Sequence, residues 1–267
     1  MTLLKAAVFD WAGTVIDHGS QAPMGAFVAA FAQFGVTISI AQARGPMGLP
    51  KRDHIATLMA LPEVASGWSA AQGGEPGEAA IDRLLAVFEP LNIAAVADHA
   101  ALIPGAMDTI TALRARGLKI GSTTGYTRAI MERVLPLAAA QGYAPDSLVC
   151  AGDLPAGRPT PLMMYRTFLE LGVWPAWSVV KVDDTAPGIA EGIAAGTWTV
   201  GVAMTGNAVG LSAAALAALL DEERAVLRQK AGAELLRAGA HVVVDSIADL
   251  LPVVDGIEGR LARGERP

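Results

Sequence analysis

An apolar run over residues 3–9 ends in one carboxylate, Asp10, and the small-residue turn Trp11-Ala12-Gly13-Thr14 follows at once. In an open α/β sheet the chemistry gathers at the carboxyl ends of the strands, so Asp10 stands where a ligand would lie. The turn leaves the backbone N–H groups of Trp11 and Ala12 free to face an anion. The plainer alternative is an Asp that caps the next segment. Other apolar runs also end in polar residues: Thr123-Thr124, the stretch after Val149 that leads to Arg158, and Asp183-Asp184. Each has an ordinary use on its own. A Thr at a strand end caps a helix, an Arg in Ala156-Gly157-Arg158-Pro159 is solvated, and paired Asp residues cap the helix that follows. Between these stretches, Lys51 precedes His54 by three residues, which on a helix puts both on one face. Alone, a solvated Lys and a satisfied His are the ordinary readings.

The elements that must position these residues alternate. Strand patterns at 3–9, 118–123, 147–151, 179–182, 198–202 and 241–244 are separated by helical patterns at 106–116, 130–140, 162–171, 189–195 and 212–238. Alternation of this kind predicts an α/β fold, a doubly wound, mainly parallel Rossmann-like sheet that brings the strand ends together. Gly188, Gly192 and Gly196 recur at a spacing that puts small residues on one helix face, a signature of close helix–sheet packing. Residues 20–103 have another texture: Ala-rich and helical, with breaks expected at Pro46, Pro62, Gly73-Gly74 and Pro90. Phe27, Ala30, Phe31 and Phe34, then Leu84, Leu85 and Phe88, recur at helical spacing and read as core. Residues 1–19 and 104–267 are therefore expected to form the core domain, with 20–103 inserted as a helical domain. The tail from residue 259 is expected to fray.

The whole chain sets further bounds. It has 267 residues, of which 52% are hydrophobic and 17% charged, enough for a buried sheet. A net charge of -6 argues against nucleic acid as the main partner, so an anion site here has to be local. The single cysteine, Cys150, excludes an intrachain disulfide and suits a reducing compartment; it reads as a buried apolar strand residue. The start lacks the organisation of a signal peptide and residues 213–220 are too short to span a bilayer, so a soluble cytoplasmic protein is expected.

In this order the strand ends resemble the four motifs of the haloacid dehalogenase superfamily. The resemblance implies that Asp10 is the nucleophile, that Thr124 binds phosphate, that Arg158 balances charge, and that Asp183-Asp184 belongs to the acids that hold Mg²⁺. The metal would rest on Asp10, Asp184, with Asp183 beside it, and a backbone carbonyl, that of Ala12. Most phosphatases of the superfamily carry a second Asp as general acid two positions after the first, where this chain has Ala12. Some members also carry an acid four residues after motif IV, where it has Gly188. A leaving alkoxide needs a proton, so Ala12 points away from an ordinary phosphomonoesterase.

Within the superfamily, Gly45-Pro46-Met47-Gly48-Leu49-Pro50-Lys51-Arg52-Asp53-His54, together with Phe9-Asp10-Trp11-Ala12-Gly13-Thr14, Ser122-Thr123-Thr124-Gly125-Tyr126-Thr127-Arg128 and Pro155-Ala156-Gly157-Arg158-Pro159, resembles the phosphonatase (phosphonoacetaldehyde hydrolase) family. The resemblance runs over most of the chain, less clearly after residue 210. It implies that the insert caps the active site, that Lys51 forms an imine with the substrate aldehyde, and that Asp10 takes the phosphoryl group. His54 shuttles protons, sharing the task with Tyr126 or a water, while Trp11, Ala12, Met47, Gly48, Gly125 and Tyr126 shape the substrate site. It further implies a Mg²⁺-dependent step of 2-aminoethylphosphonate degradation in a homodimer joined through the caps. An enamine leaving group needs no acid at position 12, which accounts for Ala12. The rivals are a haloacid dehalogenase, a sugar-phosphate phosphatase, and a binding protein without turnover. His18, His99 and His241 are expected to be structural.

Overall fold

The computed structural model describes residues 2–267. A six-stranded sheet runs β3-β2-β1-β4-β5-β6, with every pairing parallel. Its strands are β1 (Ala6–Phe9), β2 (Lys119–Thr127), β3 (Ser147–Ala151), β4 (Val179–Asp183), β5 (Trp198–Val202) and β6 (Val242–Val244). The order reverses at β1, so the loops after β1, β2 and β4 open beside one another, the place where such sheets bind ligands. Strand side chains alternate between faces. Ala7 and Phe9 pack on one face with Ile120, Val180, Val182 and Val200, and Ala6 and Val8 on the other with Met164 and Leu171. Burial on both faces is why these strands read as unbroken apolar runs.

The intervening helices divide into two sets. Five come from the insert: α1 (Ala22–Gln33), α2 (Ile40–Arg44), α3 (Lys51–Met59), α4 (Pro62–Gln72) and α5 (Glu78–Val96). They enclose their own apolar cluster around Phe27, Ala30, Phe31, Leu58, Leu84 and Phe88, and we call this set the cap. The rest flank the sheet: α6 (Ala106–Ala115), α7 (Arg128–Ala140), α8 (Leu162–Leu171), α9 (Ala186–Ala194), α10 (Ala213–Ala217), α11 (Asp221–Arg237) and α12 (Leu250–Ala262). No helix among the described residues is long and apolar enough to cross a membrane.

Three details depart from the expected pattern. Pro90 does not break α5, which runs through it with the proline exposed while Leu84, Phe88 and Asn92 face inward; packing of that stripe outweighs the local cost of proline. β2 continues past Thr124 to Thr127 through a register shift against β3. The tail is helical as far as Ala262: Val254, Ile257 and Leu261 are buried, and the Glu258 carboxylate accepts from the backbone N–H groups of Leu3 and Leu4 at 2.9 and 2.8 Å. As the glycine spacing suggests, α9 lies close on the sheet, since a Cβ at Gly192 would crowd Lys181 and Thr199.

Candidate active site

Parallel register brings the strand ends level. Phe9 pairs with Ser122 on one side and Val182 on the other, so the next residues, Asp10, Thr123 and Asp183, form one row. The Asp10 N–H donates to the Val182 carbonyl at 3.0 Å, which fixes the carboxylate just past the strand.

Arg158 reaches into this row from the loop after β3. It is 3% exposed, and its Nη2 lies 2.8 Å from Asp10 Oδ1 and 3.1 Å from Asp183 Oδ2. The same nitrogen donates to the Thr123 carbonyl at 2.6 Å, and Nε donates to Glu191 Oε2 at 3.1 Å. Behind Arg158 sits a second cation. Lys181 on β4 is fully buried, donates to Thr123 Oγ1 at 2.6 Å, and lies 3.1 Å from Asp183 and 3.2 Å from Glu191. Thr123 Oγ1 in turn donates to Glu191 Oε2 at 2.8 Å. Removing one partner of such a buried network leaves charges uncompensated. Lys181→Met is therefore expected to lower the unfolding free energy by roughly 3–5 kcal/mol, with Glu191→Gln in the same chain restoring part of it. A urea titration showing a loss below about 1 kcal/mol would reject this account of the network.

Asp10, Asp183 and Asp184 each offer an oxygen within 4.8 Å of the others. Burial and then the Asp183 charge push the Asp10 carboxyl up to about 6, against the opposing pull of Arg158 and Lys181. Burial, with Asp10 and Asp183 adding repulsion, raises Asp184 well above the carboxylate range. Burial also raises Asp183, but Arg158 and Lys181 outweigh it and the net shift is downward. The cluster is thus short of positive charge around Asp10 and Asp184, and Asp183 Oδ2 has cations nearby but no aligned hydrogen-bond donor. An all-oxygen donor set of this charge fits a hard divalent cation such as Mg²⁺. Asp183 Oδ1 is occupied by the Thr185 N–H and Oγ1, at 3.0 and 2.7 Å. Asp184 Oδ1 has only a 3.3 Å contact from Thr14 Oγ1, so it is the freer ligand. The helix-capping role that Asp183 could have filled falls to Thr185, which accepts from the Gly188 N–H. Gly188 has to be a glycine, because a Cβ there would overlap the Asp183 carboxyl; a further acid at that position has no room.

Free backbone amides follow Asp10. The N–H groups of Trp11 and Ala12 donate to no protein acceptor among the described residues. The Trp11 ring turns away into the core, edge-on to Tyr143 at 5.0 Å. Thr124 Oγ1 accepts from the Tyr126 N–H at 3.1 Å, which leaves its own proton free to donate.

The cap closes the site from above. Met47, Gly48 and Lys51 line one pocket with Asp10, Ala12, Thr124, Gly125, Tyr126 and Arg158, and its volume is only about 20 Å³, space for roughly one water. Lys51 is 3% exposed, and among the described residues its Nζ has Met47 Sδ at 3.9 Å as its one hydrogen-bond partner. The rings of Tyr126 and Phe27 lie 5.3 and 5.7 Å from it. Burial lowers its pKa to about 8; Asp10 opposes the shift and Arg158 assists it. Arg52, the next residue, faces outward to Glu78 and Asp82. His54 is fully buried, stacked on Phe27 at 4.0 Å, with Nε2 2.8 Å from the Ala43 carbonyl. A carbonyl only accepts, so Nε2 carries the proton and Nδ1, which has no partner among the described residues, presents a lone pair. Burial and then Lys51 lower the imidazolium pKa to about 3, so the ring is neutral at working pH. Burial likewise holds the Tyr126 phenol protonated.

Several residues beside the site escape a reading by pattern. Lys181 carried a faint signal as the lone charge within an apolar strand. Its partner Glu191 carried none, being remote in sequence. Ser20 and Thr185 also line the pocket, Ser20 with a left-handed φ of 50°. The remaining histidines make local contacts: His18 to the Leu211 carbonyl, His99 beside Asp17, His241 to Thr199. Cys150 is buried in β3.

Comparison with known proteins places the chain in a family. The haloacid dehalogenase-like hydrolase family model matches residues 4–196. Phosphonoacetaldehyde hydrolases from Paraburkholderia phytofirmans and Salmonella typhimurium are 58% and 50% identical, each over the whole of both chains. The crystal structure of a phosphonoacetaldehyde hydrolase-like protein from Oleispira antarctica superposes with a TM-score of 0.98 at 44% identity, covering 99% of this chain and 96% of that one. The chain is a hydrolase that belongs to the phosphonoacetaldehyde hydrolase family, within the haloacid dehalogenase-like hydrolases.

Proposed function

We propose that the enzyme hydrolyses the carbon–phosphorus bond of phosphonoacetaldehyde to acetaldehyde and phosphate, through an imine on Lys51 and a phosphoryl group on Asp10. The observation that carries this reading is a buried, desolvated lysine with no acidic partner, lining one pocket with a strand-end aspartate and Ala12. Most phosphomonoesterases of the superfamily use an acid where this chain has Ala12, and a dehalogenase has no use for Lys51 or for a trio of acids.

The phosphonate oxygens take the free amides of Trp11 and Ala12, the Thr124 hydroxyl and Arg158. Neutral Lys51 adds to the aldehyde, and the carbinolamine takes up one proton from solvent and loses water to give a protonated imine, with the His54 Nδ1 lone pair relaying protons between the nitrogen and oxygen. Tyr126, held protonated, donates a hydrogen bond rather than acting as base. Asp10 attacks phosphorus, and the electron pair of the C–P bond passes into the iminium to leave a neutral enamine. Protonation at carbon and hydrolysis of the imine release acetaldehyde and free Lys51. Water then attacks the aspartyl phosphate, releasing phosphate and regenerating Asp10. Asp10, Asp184 and the Ala12 carbonyl, with Asp183 close by, would hold Mg²⁺, which would supply positive charge where a phosphonate meets a carboxylate. The same family reading carries a role in 2-aminoethylphosphonate degradation and a cytoplasmic homodimer joined through the caps, the last checked by sedimentation.

Acetaldehyde and phosphate should appear in equal amounts, only with Mg²⁺ present; release of neither rejects the reading. Ala12→Asp supplies an acid that an enamine does not need. It should leave carbon–phosphorus cleavage no faster and raise hydrolysis of p-nitrophenyl phosphate. A clear acceleration of carbon–phosphorus cleavage would show that position 12 matters to that step after all.

A further inference from the structure

Asp10 and Lys51 are 6% and 3% exposed beneath the cap, so the cap lifts to admit a phosphonate between them and reseats over it in each turnover. Most contacts that seat it near the pocket are steric, with Gly48 against Thr185, Gly125 under the Gly48 and Leu49 carbonyls, and Pro50 on Gly157. Most of the directional bonds gather at Arg44, the last of α2, with Gln21 Nε2 adding one to the Gly210 carbonyl at 2.6 Å. Arg44 Nη1 donates to the Gly19 carbonyl at 2.8 Å and to Asn207 Oδ1 at 3.2 Å, and its Nη2 donates to the Gly210 carbonyl at 2.9 Å. Asn207 returns the bond, with Nδ2 donating to the Arg44 carbonyl at 3.2 Å. Gly210, with φ of 67°, leaves the space the guanidinium fills: a Cβ there would sit 2.5 Å from Cζ. Asn207 also holds the acid cluster, its N–H donating to Asp184 Oδ2 at 2.7 Å.

We infer that Arg44 and Asn207 are positioning residues that act as one latch. Arg44 anchors the start of the 45–50 segment, which leads directly to Lys51. Asn207 ties that anchor to the loop whose amide orients Asp184. Reseating the cap thus brings Lys51 over Asp10 and sets Asp184 by a single set of bonds. The inference rests on the proposed reaction for what is being positioned, while the coupling itself needs no turnover to be seen.

The test is a double-mutant cycle on Arg44→Ala and Asn207→Ala, with hydrogen exchange read on residues 45–51. Each single variant should speed exchange there about tenfold and lower kcat/KM by roughly 10- to 100-fold, and the double variant should be no worse than the worse single. Borohydride trapping of acetaldehyde on Lys51 at neutral pH should slow in parallel, because an open cap hydrates the amine. Arg44→Lys, which keeps one donor, should recover part of the exchange protection. Asn207→Asp serves if the alanine variant misfolds; it retains the acceptor for Arg44, loses Nδ2, and should fall between wild type and Arg44→Ala. Additive losses, or unchanged exchange at 45–51 in a folded variant, would overturn the latch. Wild-type protein that releases no phosphate from phosphonoacetaldehyde would reject the reaction, and the exchange cycle would still decide the latch.

Discussion

Lys51→Met should abolish carbon–phosphorus cleavage, with kcat/KM falling by four orders of magnitude or more, about 5.5 kcal/mol of barrier. Met matches the shape of the buried side chain and keeps the neighbouring Met47 and Tyr126 in place, so loss of the amine is the only chemical change. Lys51→Arg retains the charge and equally cannot form an imine. Imine formation needs the neutral amine. With a pKa near 8, about a tenth of Lys51 is neutral at pH 7, against fewer than about one in a thousand for an unshifted lysine. Borohydride-dependent labelling by acetaldehyde should therefore rise about tenfold per pH unit up to pH 8, then level off. Peptide mass analysis should place the two-carbon adduct on Lys51. The shift also bears on stability. The native state binds its proton less tightly than the unfolded chain, so stability rises with pH between about 8 and 10.5, and at pH 7 the buried ammonium costs about 3 kcal/mol. Lys51→Met should accordingly melt higher than wild type at pH 7 as it loses activity. An adduct on Lys119 or Lys181, or near-normal turnover by Lys51→Arg, would defeat the imine mechanism.

Much of this site is legible in the sequence, for a local reason. A strand buried on both faces is an apolar run, and the run announces its own end, so Asp10, Thr124 and Asp183-Asp184 can be found without knowing how the strands are ordered. Lys51 was visible as a chemical type three residues before His54, and the imine implied for it calls for a desolvated, lowered-pKa amine; the groups that pack around it, Phe27 and Tyr126 across the cap–core boundary, were not visible. What pattern missed is long-range. Arg44 and Asn207 stand 163 residues apart, and Lys181 meets Glu191 only after α9 folds back on β4. Ordinary local rules also failed where packing outweighed them. Pro90 looked like a break and sits inside α5, and the tail looked frayed until Glu258 found the Leu3 and Leu4 amides. Gly188, read from sequence as a missing acid, is occupied space: the Asp183 carboxyl fills the volume that a side chain would need.

Asp10→Asn should leave a folded protein with no measurable turnover. The amide keeps an oxygen for Arg158 Nη2, now 2.8 Å from Asp10 Oδ1, so the row of strand ends stays intact, but an amide is a poor nucleophile toward phosphorus. Residual activity within about tenfold of wild type, a barrier change of only ~1.4 kcal/mol, would rule out covalent catalysis by Asp10. Stability should move the opposite way. Burial and the Asp183 charge raise the Asp10 carboxyl to about 6 from its ordinary 3.8. The native state therefore holds that proton more tightly than the unfolded chain, and the fold loses stability as pH rises through that interval. At pH 7 the charged carboxylate burdens the metal-free protein and repels Asp184. Metal-free Asp10→Asn should melt above wild type at pH 7, and the two should converge as pH falls toward 4. Added Mg²⁺ should raise the melting temperature of wild type, by mass action on the native state, and barely move that of the variant. A variant that melts lower than wild type at pH 7, or gains as much from Mg²⁺, would mean that Asp10 is chiefly a structural partner of Arg158 and not the charged member of a metal and phosphoryl site.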